Sequence, residues 1–276
     1  MDIQWLISTC GDRMKQVENV LMDPQFKVSY LISHQASGSE LELPKSLNRL
    51  DVKVVHTNSM GLSANRNNAL KHATGSILVV GDDDIGLKPT YANRILKTFT
   101  DHPDVDVACF QILTSDTGQP YKKYPKKIKR LTSFKSLKNV SSIEIAFRRK
   151  SIEKAQICFD ERFGLGKPAN CGEEFLFLAN CLRKGLTICF FPMYVVEHPS
   201  QSSVNQRAVF EDIKLVVSGA QNYVLFKEMA YVLHVLALIR RAPALKREHV
   251  SPKRFLQLKN AGCTYIKTNV FELPQT

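Results

Sequence analysis

Three consecutive carboxylates, Asp82, Asp83 and Asp84, follow the apolar run Ile77–Val80 and Gly81. Adjacent carboxylates repel one another unless a positive group neutralises them. Hard oxygen donors of this kind suit Mg2+ or Mn2+, and Mg2+ is often shared between one or two carboxylates and substrate phosphates. Side chains alternate along an extended segment, so Asp82 and Asp84 share one side and Asp83 faces elsewhere. The plain alternative is an acidic turn that closes a strand.

Three further groups could do chemistry. Gly61-Leu-Ser-Ala-Asn-Arg-Asn-Asn68 opens a helical stretch that Ser63 can cap, and its N-terminus with Arg66 favours anionic oxygens. Taken alone it reads as a capped surface helix with Arg66 exposed. Glu173 and Glu174 stand at the start of another helix, where the dipole favours their charge. That position also suits a general base facing a substrate hydroxyl. His198, in Val195-Val-Glu-His-Pro199, is a structural histidine or, with carboxylates elsewhere, a third metal ligand.

The elements that must carry these residues alternate between strand and helix. Ile3–Thr9, Phe26–Ser33, Val52–His56, Ile77–Val80 and Val105–Leu113 have strand character. Asp12–Leu21, Ser63–Ala73 and Tyr91–Phe99 have helical character. This alternation predicts an α/β fold with a mostly parallel central sheet flanked by helices. Ligands of such sheets bind beyond the carboxyl ends of the strands, where Asp82–Asp84 fall. Gly118–Lys138 is polar and basic and is expected to be a long loop. Ser142–Phe147 and Leu186–Phe191 have strand character, the latter stopped by Pro192, with Tyr194–Glu197 extended beyond. Phe175–Arg183 is expected to be a helix ended by Gly185. Long helices follow, over Arg207–Val217 and Gln221–Ile239. The expected division is a catalytic domain over 1–200 and a helical C-terminal extension over 201–276.

Composition limits the function classes. The 276 residues are 44% hydrophobic and 23% charged, enough for a real core. Seven scattered cysteines contain no CxxC pair, which argues against a zinc ribbon and for reduced thiols in a cytoplasmic protein. No secretory leader or membrane-spanning stretch is recognised. The net charge of +12 concentrates in residues 121–138 and in the C-terminal helices. Such patches attract anionic partners, among them nucleic acid, lipid headgroups or a diphosphate-linked acceptor. They are also ordinary solvated surfaces. Few aromatics interleave with the basic run, so no nucleic acid is expected as a partner.

The order GLSANRN, ILVVGDDDI, FDERFGLG, CGEEFLF and VVEHP resembles the family 2 glycosyltransferases over most of residues 1–200. That resemblance implies a GT-A fold and inverting transfer of a sugar from a nucleotide-sugar to an acceptor hydroxyl. It further implies that Asp84 binds Mn2+ or Mg2+, with Asp82 near metal and ribose and His198 as a metal or diphosphate contact. Asp83 belongs to the same donor-binding motif. Glu174 becomes the base, with Glu173 as its neighbouring alternative. Thr9 lies near the nucleobase, and Arg66 and Asn67 near the donor. The family's acidic cluster after the second strand is replaced here by Ile32-Ser33-His34-Gln35, leaving Gln35 to meet a base edge. A UDP-sugar is the first choice of donor, and a saccharide or lipid-linked saccharide the expected acceptor, in cell-surface polysaccharide or glycolipid synthesis. Peripheral contact with the inner face of a membrane through 121–138 and the C-terminal helices is expected, and a homodimer is a candidate assembly. The rival readings are a metal-dependent nucleotidyltransferase and a nucleic-acid-binding protein.

Overall fold

The structure is a computed structural model that describes residues 1–36, 43–200 and 211–274. Its strands are β1 (Ile3–Cys10), β2 (Val28–Gln35), β3 (Val52–Thr57), β4 (Ile77–Asp82), β5 (Val107–Thr114), β6 (Lys129–Arg130), β7 (Ile145–Arg148) and β8 (Ile188–His198). Its α-helices are α1 (Leu62–His72), α2 (Pro89–Asp101), α3 (Phe134–Leu137), α4 (Arg149–Ala155), α5 (Glu173–Arg183), α6 (Asp212–Phe226), α7 (Met229–Arg247) and α8 (Pro252–Thr268).

Two compact units are present: Met1–Asp160 with Glu174–Gln201, and Glu161–Glu173 with Ser202–Thr276. The first holds a sheet in the order β3-β2-β1-β4-β7-β5-β8-β6. Strands β1 to β4 pair in parallel, as do β5 and β8. The antiparallel β7 joins the two parallel sets, and β6 is an antiparallel edge. The fold is α/β of the GT-A type, its mostly parallel sheet interrupted at β7. Trp5, Ile7, Tyr30, Ile32 and Val79 form the core of one sheet face with Ile95 and Phe99 of α2. A buried apolar run such as Ile77–Val80 is what a strand covered on both faces requires.

Several elements depart from the sequence expectation for identifiable reasons. The residues after β1 form a 3-10 helix, Gly11–Val20, which still buries Met14, Val17 and Val20. Helix α1 is capped by Gly61, whose φ of 108° lies where a side chain would be strained, so Ser63 is a buried helical residue rather than the cap. Pro89 opens α2 at its first turn, where a missing N–H costs nothing. The stretch 118–138 is not all loop: it contains β6 and α3. Lys122 and Tyr124 anchor it to buried Glu144 at 2.8 and 2.6 Å. Pro192 does not stop a strand but lies inside β8, where the register against β5 shifts between Cys109 and Gln111. Such an irregularity tolerates a residue without an N–H. The expected helix over Gln221–Ile239 is two helices, broken at Lys227, whose φ is 50°. Of the expected helix Arg207–Val217, residues 207–210 lie outside the described residues.

The second unit rests on close approach of α6 and α8. A Cβ on Gly219 would overlap the Lys259 carbonyl, and one on Gly262 would overlap the Val216 carbonyl. The segment Glu161–Glu173, assigned to the first 200 residues on sequence, groups with these helices. Tyr265 donates to the Arg162 carbonyl at 3.0 Å, and Gln221 to the Gly172 carbonyl at 3.2 Å.

Candidate functional site

The parallel register builds the site. Ser8 of β1 pairs with Asp82 of β4, so the residues that follow, Thr9 and Asp83, come side by side. Thr9 Oγ1 donates to Asp83 Oδ2 at 2.7 Å. Asn65 of α1 donates to the Thr9 carbonyl at 2.9 Å and fixes the loop end. Asp82 is the last residue of β4; Asp83 and Asp84 form a turn. Strand alternation therefore ends at Asp82: Asp83 is 4% exposed and Asp84 42% exposed, yet both meet Arg13, while Asp82 turns to Arg66.

Each carboxylate meets a cation within the fold. Arg13, on the 3-10 helix after β1, grips Asp83 through Nε at 2.9 and 3.0 Å and through Nη2. The same Nη2 reaches Asp84 Oδ2 at 3.2 Å. Arg66, only 3% exposed, donates to Asp82 Oδ1 at 2.9 Å and lies over the Phe159 ring at 5.6 Å. These guanidinium groups answer the repulsion that three adjacent acids would otherwise carry. The hydrogen bond to Asp83 holds the Arg13 pKa well above its ordinary value. Arg13 was not singled out on sequence. Its signal was there: a basic residue in the loop after β1, beside the strand that ends in the acids.

His198 reaches Asp84 because the turn is tied to β8. Gly86 and Glu197 exchange backbone hydrogen bonds of 2.9 Å, and Tyr91 donates to Glu197 Oε1 at 2.8 Å. His198 Nε2 then lies 3.6 Å from Asp84 Oδ1. The hydrogen bond to Asp84 raises the His198 pKa, and the same contact lowers that of Asp84.

A carboxylate oxygen beside an imidazole nitrogen fits a divalent cation completed by phosphate oxygens and water. A cage of three or more His, Cys, Asp or Glu is absent among the described residues. Asp84 and His198 are the pair that could hold such an ion, while Asp82 is held by Arg66.

The other expected residues have definite places. Gln35 ends β2 and its amide donates to the carbonyls of Ser59 and Gly61, the latter at 3.0 Å, which spends its donors on the turn before α1. His34 beside it is buried, 3.1 Å from the Gly11 carbonyl and 3.3 Å from His56. Burial lowers its pKa. Asn67 makes two hydrogen bonds with the Phe159 backbone, at 2.8 and 2.9 Å, and so holds the ring on which Arg66 lies. Glu174 is half-buried, whereas Glu173 is 5% exposed. Of the two, Glu174 is the more exposed.

Residues 37–155 match the family model described as glycosyl transferase family 2. EpsH of Bacillus subtilis (strain 168), a glycosyltransferase by description, is 26% identical over 200 residues, covering 68% of this chain. The match spans 56% of the length of EpsH. The structure of S. aureus TarS 1–349 superposes with a TM-score of 0.59 at 13% identity, covering 98% of this chain and 92% of that one. A structure of the same TarS fragment in complex with UDP-GlcNAc gives a TM-score of 0.58, also at 13% identity, with the same coverage of both chains.

Proposed function

We propose that the chain is a family 2 glycosyltransferase, its residues 37–155 matching that family's model, and that it transfers a sugar from a nucleotide-sugar to an acceptor hydroxyl with inversion. The observation that carries this reading is the turn after β4, where Asp82, Asp83 and Asp84 are each held by a named cation beside His198. Asp84 and His198 are the residues that would hold Mn2+ or Mg2+. Such an ion, when bound, neutralises charge that develops on the departing diphosphate.

The remaining work belongs to side chains. Arg13 and Arg66 fix the carboxylates and keep the turn in one shape, which is how a preorganised site avoids reorganisation during reaction. Asp82 lies on the donor side of the turn, near the ribose. Thr9 and Gln35 line the strand ends on which the nucleobase would rest. Gln35 has its amide donors engaged, so a base edge meets its carbonyl oxygen. Glu174 takes the acceptor proton as the oxygen attacks the anomeric carbon from the face opposite the leaving group.

A UDP-sugar is the donor we favour, because the TarS fragment on which this chain superposes has a structure in complex with UDP-GlcNAc. A saccharide or lipid-linked saccharide in polysaccharide or glycolipid synthesis is the matching acceptor class, with the reaction at the cytoplasmic face of a membrane. A donor screen tests the reading. The full chain is incubated with Mn2+ or Mg2+ and UDP-, GDP-, TDP- and CMP-sugars, and sugar release and thermal shift are followed. One donor class should raise the melting temperature and be turned over, and Glu174→Gln should keep the shift while losing turnover. If Glu173→Gln behaves that way instead, the base is Glu173. Pyrophosphate release from a nucleoside triphosphate would sink the transferase reading in favour of nucleotidyl transfer.

A further inference from the structure

Helix α7 has two apolar faces, and only one is used by the fold. Ala230, His234 and Leu245 are buried, and Ala237, Leu238 and Ala244 pack on the cluster of Leu215, Val216, Phe255 and Leu258. On the opposite side Met229, Val232, Val235, Leu236 and Ile239 are between 47% and 67% exposed. Their three- and four-residue spacing draws them into one stripe. Eleven residues of helix make that stripe about 15 Å long. A surface helix normally turns charged residues outward, so a contiguous apolar stripe marks a contact.

Charge identifies the partner. The helical period brings Lys246 and Arg247 onto the line of Leu236 and Ile239, with Arg240 at its edge. Arg247 meets exposed Glu248, just past the helix, at 3.4 Å. No aspartate or glutamate occurs between Met229 and Arg247. A second copy laid antiparallel would bring this cationic end to one acid, Glu228 before the helix, which Lys267 already holds at 3.2 Å. A parallel copy would set like charges together. An anionic lipid surface satisfies both halves: the acyl boundary takes the stripe and the phosphates take the cations. No helix among the described residues is long and apolar enough to cross a membrane.

We propose that α7 lies in the headgroup boundary of an anionic membrane, with Met229, Val232, Leu236 and Ile239 inserted and Arg240 and Lys246 on lipid phosphates. This needs no donor or turnover, so it stands or falls separately from the transferase reading. The full chain is sedimented with vesicles of phosphatidylcholine alone and with one part in four phosphatidylglycerol. Binding is expected only to the anionic vesicles, with release in high salt. Val232→Asp with Leu236→Asp, and separately Arg240→Glu with Lys246→Glu, should each weaken partitioning at least about tenfold. Both variants change exposed side chains, and circular dichroism should show an unchanged fold. A Lys126→Glu, Lys127→Glu variant in the other unit should bind as the wild type does. The proposal is overturned by equal binding to neutral vesicles, by no binding to anionic ones, or by loss confined to the Lys126/Lys127 variant. It is equally overturned if the wild type is a dimer in solution that Val232→Asp with Leu236→Asp makes monomeric, since a second copy would then own the face.

Discussion

The turn after β4 and the outer face of α7 use charge in opposite ways. At the turn, three carboxylates stand together and the fold answers each: Asp82 with Arg66, Asp83 with Arg13, Asp84 with Arg13 and His198. On α7, apolar side chains stand in solvent and the helix carries basic residues with no acid among them. The net charge of +12 therefore mixes two things. Part is spent inside a site to hold acids in place. Part is presented outward. A sum over the sequence does not separate them; the burial of Arg66 and the exposure of Arg240 do.

The largest effect should come from the turn. Asp84→Ala removes the carboxylate that meets both His198 and Arg13, and sugar transfer should fall at least about 1,000-fold with the melting temperature little changed. Transfer at wild-type rate would remove Asp84 from the donor site. Next comes the packing beneath α7. Gly262→Val would force a side chain into the Val216 carbonyl, and the helical unit should lose about 3 kcal/mol or more in urea unfolding. An unchanged midpoint would mean that α6 and α8 do not cross so closely.

Arg13→Ala should cost about 2–3 kcal/mol, because it leaves Asp83 buried with only Thr9 as partner. Arg13→Lys should recover part of that loss, and equal stability of all three proteins would show that the pair is idle. Asn67→Ala should cost about 1–2 kcal/mol through the Phe159 backbone it holds. If instead it changed only the donor Michaelis constant, Asn67 would be a donor contact.

The smallest effect is one of pH, and it touches both units. Burial pushes the pKa of His34 in the sheet unit and of His234 in the helical unit below the ordinary imidazole value. The folded state then binds fewer protons than the unfolded one. Stability from these groups is full above about pH 6.5 and falls as pH drops through the unfolded value towards the folded one. Between pH 7.5 and pH 5.5 the urea midpoint of His234→Gln should fall less than that of the wild type, since His198, whose raised pKa acts in the opposite sense, is common to both proteins. The same pH dependence in both proteins would contradict the assignment of a buried, neutral His234 ring.

Much of the sheet unit was legible because its signals are local. Ile77–Val80 is apolar throughout, as a doubly covered strand must be, and the acids directly after it fall at a strand end. The grouping of Asp82 with Asp84 did not follow from strand alternation, because the strand ends at Asp82 and the turn brings Asp83 and Asp84 to the same Arg13. What escaped depended on distant partners. Arg13 acquires meaning only when the β1–β4 register brings Thr9 to Asp83. The Gly86–Glu197 bridge that carries Asp84 to His198 joins residues far apart in sequence. Pro192 looked like a strand end because its tolerance depends on the irregular register of β8 against β5. The break at Lys227 carries no glycine or proline to announce it. In the helical unit, the apolar pattern of α7 was visible, but which face the fold consumes was fixed only by Gly219, Gly262 and the helices they bring together.

The turn after β4, in the function proposed, holds a nucleotide diphosphate with a divalent cation. Calorimetric titration of UDP into the full chain, with Mn2+ and after its removal by chelator, tests it most directly. Saturable binding should appear with Mn2+, weaken at least about tenfold without it, and disappear in Asp84→Ala. UDP binding of equal strength in the wild type and in Asp84→Ala, whatever the metal, would contradict it.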